Sequence, residues 1–280
     1  MIANAARRLI TDVGAVCRHA SPGSAARWAA FLALHAPACL SARSLVPADL
    51  AWARGGASFR TADGLAISVP PTFTAGAREM YCRNVYLRTG LTMPADGWVV
   101  DLGANCGLFS VWAALSGARV VAVEAQQGFA WRIEELARHN DVADRVHVEI
   151  AMAGGVTTPG SRVGVLADER RWAAASHSAP VRPASASVPD LIVKYLIGRI
   201  SLLKMDIEGG EFAVLSADEN LDWLQRVNQL VLELHPGFGD SSALMARIRA
   251  HGFAVDPRDN DGRRLDTTSP SIDYVYCRRC

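Results

Sequence analysis

The chain has 280 residues, half of them hydrophobic and one fifth charged, so it can bury a large core and is neither disordered, collagenous nor coiled coil. Its 29 basic and 28 acidic residues leave a net charge of +1, spread along the chain, which argues against nucleic acid as a partner and against a polybasic membrane anchor. The 6 cysteines are scattered and too sparse for a disulfide scaffold at this length, which predicts a cytoplasmic protein.

Residues 1–55 read as Ala-rich helices broken by Ser21-Pro22-Gly23 and by Pro37, a helical N-terminal extension ahead of one larger domain over 56–280. Arg7 and Arg8 are not followed by an apolar run long enough for a secretory signal. The Ala/Leu-rich stretch at 27–40 contains Pro37 and falls short of the roughly 20 residues that a membrane span needs, so no transmembrane segment is expected. Alternation at 57–60 and 65–69 around Ala62-Asp63-Gly64 predicts a hairpin, and 73–88 is expected to be helical up to Gly90.

From Trp98 onward, short apolar runs alternate with helical stretches. The runs at 98–102, 119–124, 146–150, 202–206 and 230–234 are continuous in Val, Leu and Ile and mostly end in an acidic or polar residue. Buried parallel strands whose carboxyl ends open onto a site have this pattern. Helical periodicity at 108–115, 128–139, 188–196 and 241–251 completes a doubly wound α/β sheet, and 253–256 and 273–277 are expected to finish it as antiparallel edge strands. The Ser/Ala/Pro/Gly-rich region at 154–189 lacks a period and is expected to be a variable insertion or lid, with a strand or two around 162–166 and Val181.

Two segments carry chemistry. Asp101-Leu102-Gly103-Ala104-Asn105-Cys106-Gly107 follows the first strong strand and opens a helix, so its glycines let backbone turn tightly against a ligand at a helix N-terminus. It is not the GxGxxG of a dinucleotide site, because Asn105 stands where the second glycine would be. Glu124 closes the next strand about 20 residues on, where an acidic side chain can accept from both hydroxyls of a ribose. The second segment, Lys204-Met205-Asp206-Ile207-Glu208-Gly209-Gly210-Glu211, sets four charged groups around a Gly-Gly turn at another strand's end. Such a set is costly to bury unless its members pair with one another or with a ligand. Glu233 and His235 close the following strand and add a carboxylate and an imidazole to the same edge.

The combination of DLGANCG with KMDIEGGE and then LELH resembles the FkbM family of S-adenosylmethionine-dependent methyltransferases, over about residues 78–252. The resemblance implies the Rossmann-like, mostly parallel seven-stranded sheet of class I methyltransferases. It implies S-adenosylmethionine as cofactor and methylation of a hydroxyl on a sugar or natural-product-type acceptor. By position, Asp101, Gly103, Asn105 and Gly107 would line the cofactor's methionine moiety and Glu124 its ribose. Ala125-Gln126 stands where the family more usually has a Pro-containing turn, and Ser187-Val188-Pro189-Asp190 where it has Thr/Ser-Leu-Asp, so Asp190 is read as a helix cap.

Methyl transfer to an alcohol is an in-line displacement that also needs the hydroxyl proton removed. Asp206, Glu208 and His235 are the candidate bases, with Lys204 and Glu211 orienting them by charge. A divalent metal gathered by Asp206, Glu233 and His235 is the alternative and ranks second. The rivals from other classes are a silent adenosylmethionine-binding protein and a nicotinamide-dependent oxidoreductase, the latter disfavoured by the missing GxGxxG.

Overall fold

The computed structural model describes residues 2–42, 44–71, 76–153, 184–216 and 220–280. The expected strands around 162–166 and Val181, and most of the 154–189 region, lie outside the described residues.

Four helices come first: α1 (Ile2–His19), α2 (Pro22–Leu34), α3 (Ala36–Ala42) and α4 (Val46–Ala53). Ser21 caps α2 and Pro22 occupies its first turn, where a missing N–H is no loss. Pro37 stands in the first turn of α3 for the same reason, so it opens a helix and does not simply end one. The hairpin of β1 (Ala57–Arg60) and β2 (Ala66–Val69) is antiparallel. The expected helix over 73–88 is replaced, in its described part, by a five-residue π-turn at Arg78–Cys82 and then irregular chain. Its side chains are drawn to different partners: Arg78 to the N-terminal helices, Tyr81 to the start of α5 (Leu108–Leu115), Tyr86 to the edge of the sheet. Asn84 breaks the run with a φ of 49°.

The main sheet contains β3 (Trp98–Leu102), β4 (Arg119–Glu124), β5 (Val146–Ala153), β6 (Ala184–Ala186), β7 (Ile200–Met205), β8 (Val227–Glu233), β9 (Phe253–Arg258) and β10 (Tyr274–Arg279), in the order β6-β5-β4-β3-β7-β8-β10-β9. Between them run α5, α6 (Gln127–His139), α7 (Val188–Lys194), α8 (Glu211–Val214) and α9 (Ser241–Ala250). The sheet from β6 to β8 is parallel, and β10 runs antiparallel to both of its neighbours. This is the α/β, Rossmann-like, mostly parallel arrangement expected, with the three-residue β6 added outside the seven strands. The two final strands differ from expectation: β10 is an internal strand, and β9 at the edge points the same way as the parallel set.

Strand alternation divides the core. Val99, Val120, Leu202 and Val231 face a layer containing Trp28, Trp52, Tyr81, Phe109 and Trp112, to which the N-terminal helices contribute. Val100, Val121, Leu203 and Leu230 face the other layer, with Leu191, Leu244 and Ile248. Because side chains alternate along a strand, Asp101 and Lys204 share the first face with Val99 and Leu202. They are also register partners across β3 and β7.

Chain order reverses at β3. The segments through β4, β5 and β6 build outward on one side, and β7 then returns to β3's other side. The loops after β3 and β7 therefore lie together at the carboxyl edge, the switch point where open α/β sheets hold ligands. Among the described residues, no helix is long and apolar enough to cross a membrane.

Candidate active site

The two loops are joined directly. Gly103 and Ala104 donate backbone N–H groups to the Val123 carbonyl at 2.9 and 3.0 Å, and the Asp206 N–H donates to the Leu102 carbonyl at 3.1 Å. A Cβ on Gly103, whose φ is +77°, would stand 1.7 Å from the Asp206 carbonyl oxygen. Glycine at 103 is thus required by the neighbouring loop as well as by the backbone angle. Gly209 has the same double constraint, because a Cβ there would meet the Phe238 ring at 2.4 Å.

Two non-glycine residues hold left-handed conformations here, Asn105 at φ 51° and Glu208 at φ 55°. Asn adopts this region readily, but for Glu it costs of order 1 kcal/mol and persists only where surrounding structure imposes it. Asn105 uses its side chain to accept from the Cys106 N–H at 2.8 Å, closing the turn on itself.

Glu124 is buried at the end of β4. Its Oε2 accepts from the Asn105 N–H at 2.8 Å and its Oε1 from the Gln126 N–H at 2.7 Å, so one carboxylate fixes both the glycine loop and the start of α6. Burial raises its pKa, against the two backbone donors that lower it.

Asp101 lies beneath the loop, fully buried. The Ser110 hydroxyl donates to its Oδ2 at 2.6 Å, and Lys204 Nζ lies 3.1 Å from its Oδ1. Lys204 is also buried; it donates to the Gly103 carbonyl at 2.7 Å and stands 3.7 Å from Asp206 Oδ2. Burial disfavours its charge, but Asp101 and Asp206 more than offset this and leave its pKa raised. Both residues thus brace the Gly103–Gly107 loop from below.

At the rim, Tyr86 Oη lies 2.8 Å from Asp206 Oδ2 and 2.7 Å from Glu233 Oε2. Burial, then the nearby Asp206 charge, pushes Glu233 up to about 7. Tyr86 was not anticipated, because it lies outside the strand–helix repeat and nothing in its local spacing marks it. Glu211 is wholly buried at the start of α8, where its Oε1 accepts from the Ile207 N–H at 2.8 Å. His235 Nδ1 lies 3.3 Å from that oxygen and its Nε2 3.6 Å from the largely exposed Glu208 carboxylate. The Glu211 carboxylate, against the effect of burial, pushes His235 up to about 9. The imidazole is therefore charged at neutral pH, which sets it against the role of base expected of it.

Asp206, Glu208, Glu211 and His235 thus gather on one side of the switch point, with Lys204 and Asp101 under it and Glu124 across the glycine loop. One ligand atom from each of Asp206, Glu211 and His235 lies within 4.8 Å of the others, a spacing suited to a metal ion. Glu233, engaged with Tyr86, does not belong to that trio. Tyr81 is buried and donates to the Leu108 carbonyl at 2.8 Å, whereas Glu79 is half exposed beside Arg83; neither reaches the cradle. Asp190 sits in the first turn of α7, in a reciprocal cap with Ser187.

A family model described as Methyltransferase FkbM domain matches residues 101–255, more than half of the chain. The 31-O-demethyl-FK506 methyltransferase FkbM of Streptomyces tacrolimicus is 29% identical over 211 residues, which cover 64% of this chain and 80% of that protein. The AMB antimetabolite synthetase AmbE of Pseudomonas aeruginosa is 28% identical over 232 residues, covering 65% of this chain and 11% of the synthetase. Among solved structures, a precorrin-6y C5,15-methyltransferase from Geobacter metallireducens aligns with a TM-score of 0.38 at 12% identity, over 69% of this chain and 84% of that one. The match spans both loops of the switch point, and the chain belongs to the FkbM family of methyltransferases.

Proposed function

We propose that the chain is an S-adenosylmethionine-dependent O-methyltransferase acting in the cytoplasm on a hydroxyl of a small-molecule or glycan acceptor. The observation that carries this reading is the locking of the glycine loop against the Asp206–Glu211 loop at the switch point, which brings a cofactor cradle and an acidic edge together. The name of the Streptomyces relative, which specifies methylation of an oxygen, supports the choice of acceptor atom.

The residues fit the cofactor. Each Glu124 oxygen accepts one backbone N–H, leaving acceptor capacity for a pair of ribose hydroxyls. The acidic surplus beside the cradle suits the positive charge of a sulfonium. When bound, the cofactor supplies an electrophilic methyl group on that sulfonium.

The protein's part is positioning and proton removal. An acceptor hydroxyl attacking that methyl group would displace a neutral thioether, and the Asp206 or Glu208 carboxylate would take its proton, since His235 already carries one. Lys204 keeps that edge in register with the cradle through Gly103 and Asp101.

Calorimetric titration of the whole chain with S-adenosylhomocysteine tests the cofactor. Saturable binding that Glu124→Ala weakens by about tenfold or more supports the reading, since a charged acceptor contributes about 1.5–3 kcal/mol. Absence of binding by folded protein overturns it.

A further inference from the structure

Glu211 is wholly buried, yet only half of its carboxylate is satisfied. Oε1 takes the Ile207 N–H, whereas Oε2 has neither a hydrogen-bond partner nor an ion pair among the described residues. The adjacent His235 Nδ1 is buried too and faces Glu211 Oε1 at 3.3 Å. An unsatisfied buried acceptor costs about 1–3 kcal/mol, and more when charged, so Glu211 Oε2 calls for a partner that the described residues do not supply.

Lys204 cannot be that partner, because its ammonium is committed to the Gly103 carbonyl and Asp101. The neighbourhood is otherwise acidic, with Asp206, Glu208 and Glu233 around the same edge. Atoms bound to one ion at about 2.1 Å stand about 3 to 4.2 Å apart. The 3.3 Å between His235 Nδ1 and Glu211 is one such edge, and a small inward movement closes a trio held within 4.8 Å.

We propose that Asp206, Glu211 and His235 form a divalent-cation site, and that the imidazole favours a first-row transition ion such as Mn²⁺ over Mg²⁺. The ion ties the loop after β7 and the first turn of α8 to the end of β8. Its catalytic part rests on the methyl-transfer reading: an acceptor hydroxyl bound to the ion loses its proton to water more easily, and the resulting alkoxide attacks the methyl carbon. The ion displaces the imidazolium proton of His235 to solvent, and its binding does not depend on that reading.

The test is titration of the chelator-treated full chain with Mn²⁺, free ion being read by electron paramagnetic resonance, with S-adenosylhomocysteine calorimetry on the same samples. One saturable site is expected, weakened about tenfold or more in Glu211→Gln and in His235→Ala and changed less than about threefold in Glu208→Gln. His235 is only partly buried, so its variant serves should Glu211→Gln fail to fold. Absence of saturable Mn²⁺ binding, or equal binding by the variants, overturns the site, and equal competition by Mg²⁺ overturns the choice of ion. S-adenosylhomocysteine binding without Mn²⁺ binding rejects the ion and keeps the methyl-transfer reading. Mn²⁺ binding without S-adenosylhomocysteine binding keeps the ion site and rejects its catalytic part.

Discussion

Two charge clusters, one buried among the N-terminal helices and one at the carboxyl edge of the sheet, are built to different standards. In the first, Arg78 donates from Nε and Nη2 to Asp49 at 2.9 to 3.0 Å and places Nη1 3.0 Å from Asp12, while Trp28 Nε1 donates to Asp49 at 2.9 Å. With Arg83 Nε 3.5 Å from Asp12, two guanidiniums face two buried carboxylates, and the arrangement pins α1, α2 and α4 to the π-turn and the chain after it. The second cluster surrounds Asp206: carboxylates outnumber cations, Glu211 keeps an oxygen without a partner, and Glu208 holds a left-handed backbone. Balanced burial of charge fixes structure, whereas a surplus of one sign with an unmet acceptor points to a bound group. The difference separates a fastening from a site, although both are rich in the same residue types.

The sharpest way to break this contrast is to push the two loops of the site apart. Gly103→Ala forces a Cβ into the Asp206 carbonyl, and we expect a loss of about 4 kcal/mol or more in denaturant unfolding together with loss of S-adenosylhomocysteine binding. A variant that unfolds like the parent would show that the loops are not mutually constrained.

Arg78→Met tests the fastening. Leaving Asp49 buried without its cation is expected to cost about 3–5 kcal/mol, measured by urea unfolding, while protein that remains folded keeps its cofactor affinity. If affinity fell in parallel with stability, the two clusters would be one functional unit.

Asp206→Asn should give the reverse signature. It is expected to lower methyl transfer about 100-fold or more in single-turnover assays and to change stability by less than about 1 kcal/mol, because a partly exposed carboxylate at a strand end contributes little to folding. Tyr86→Phe is expected to have the smaller effect on turnover of these two site variants. Losing one phenol bridging Asp206 and Glu233 should cost about 1–2 kcal/mol in stability and reduce turnover by about tenfold, with S-adenosylhomocysteine affinity preserved in calorimetry.

Much of the sheet was legible because buried parallel strands need continuous apolar runs and because turns and caps carry local chemistry. The strands β3, β4, β5, β7 and β8 and the capped start of α7 declared themselves in this way, whereas the short β6 did not. The segment from Arg78 to Tyr86 did not, since its shape comes from partners far along the chain: Asp12 and Asp49 before it, Leu108, Asp206 and Glu233 after it. The positions of β9 and β10 were likewise hidden, because an apolar strand reads the same at the edge of a sheet or inside it.

Sequence alone determined the α/β class, the two loops and the residues that carry charge, since periodicity, glycine placement and strand-terminal acids are local properties. Only the tertiary structure decided what those residues touch. It turned Asp101 and Lys204 into a brace, gave Glu124 to two backbone donors, brought Tyr86 to the rim and put Glu211 in place of Glu233 beside His235. The physical reason is that hydrogen bonds and ion pairs act over about 3–4 Å in space. The distances between these residues are set by how the strands are ordered and how side chains alternate across the sheet.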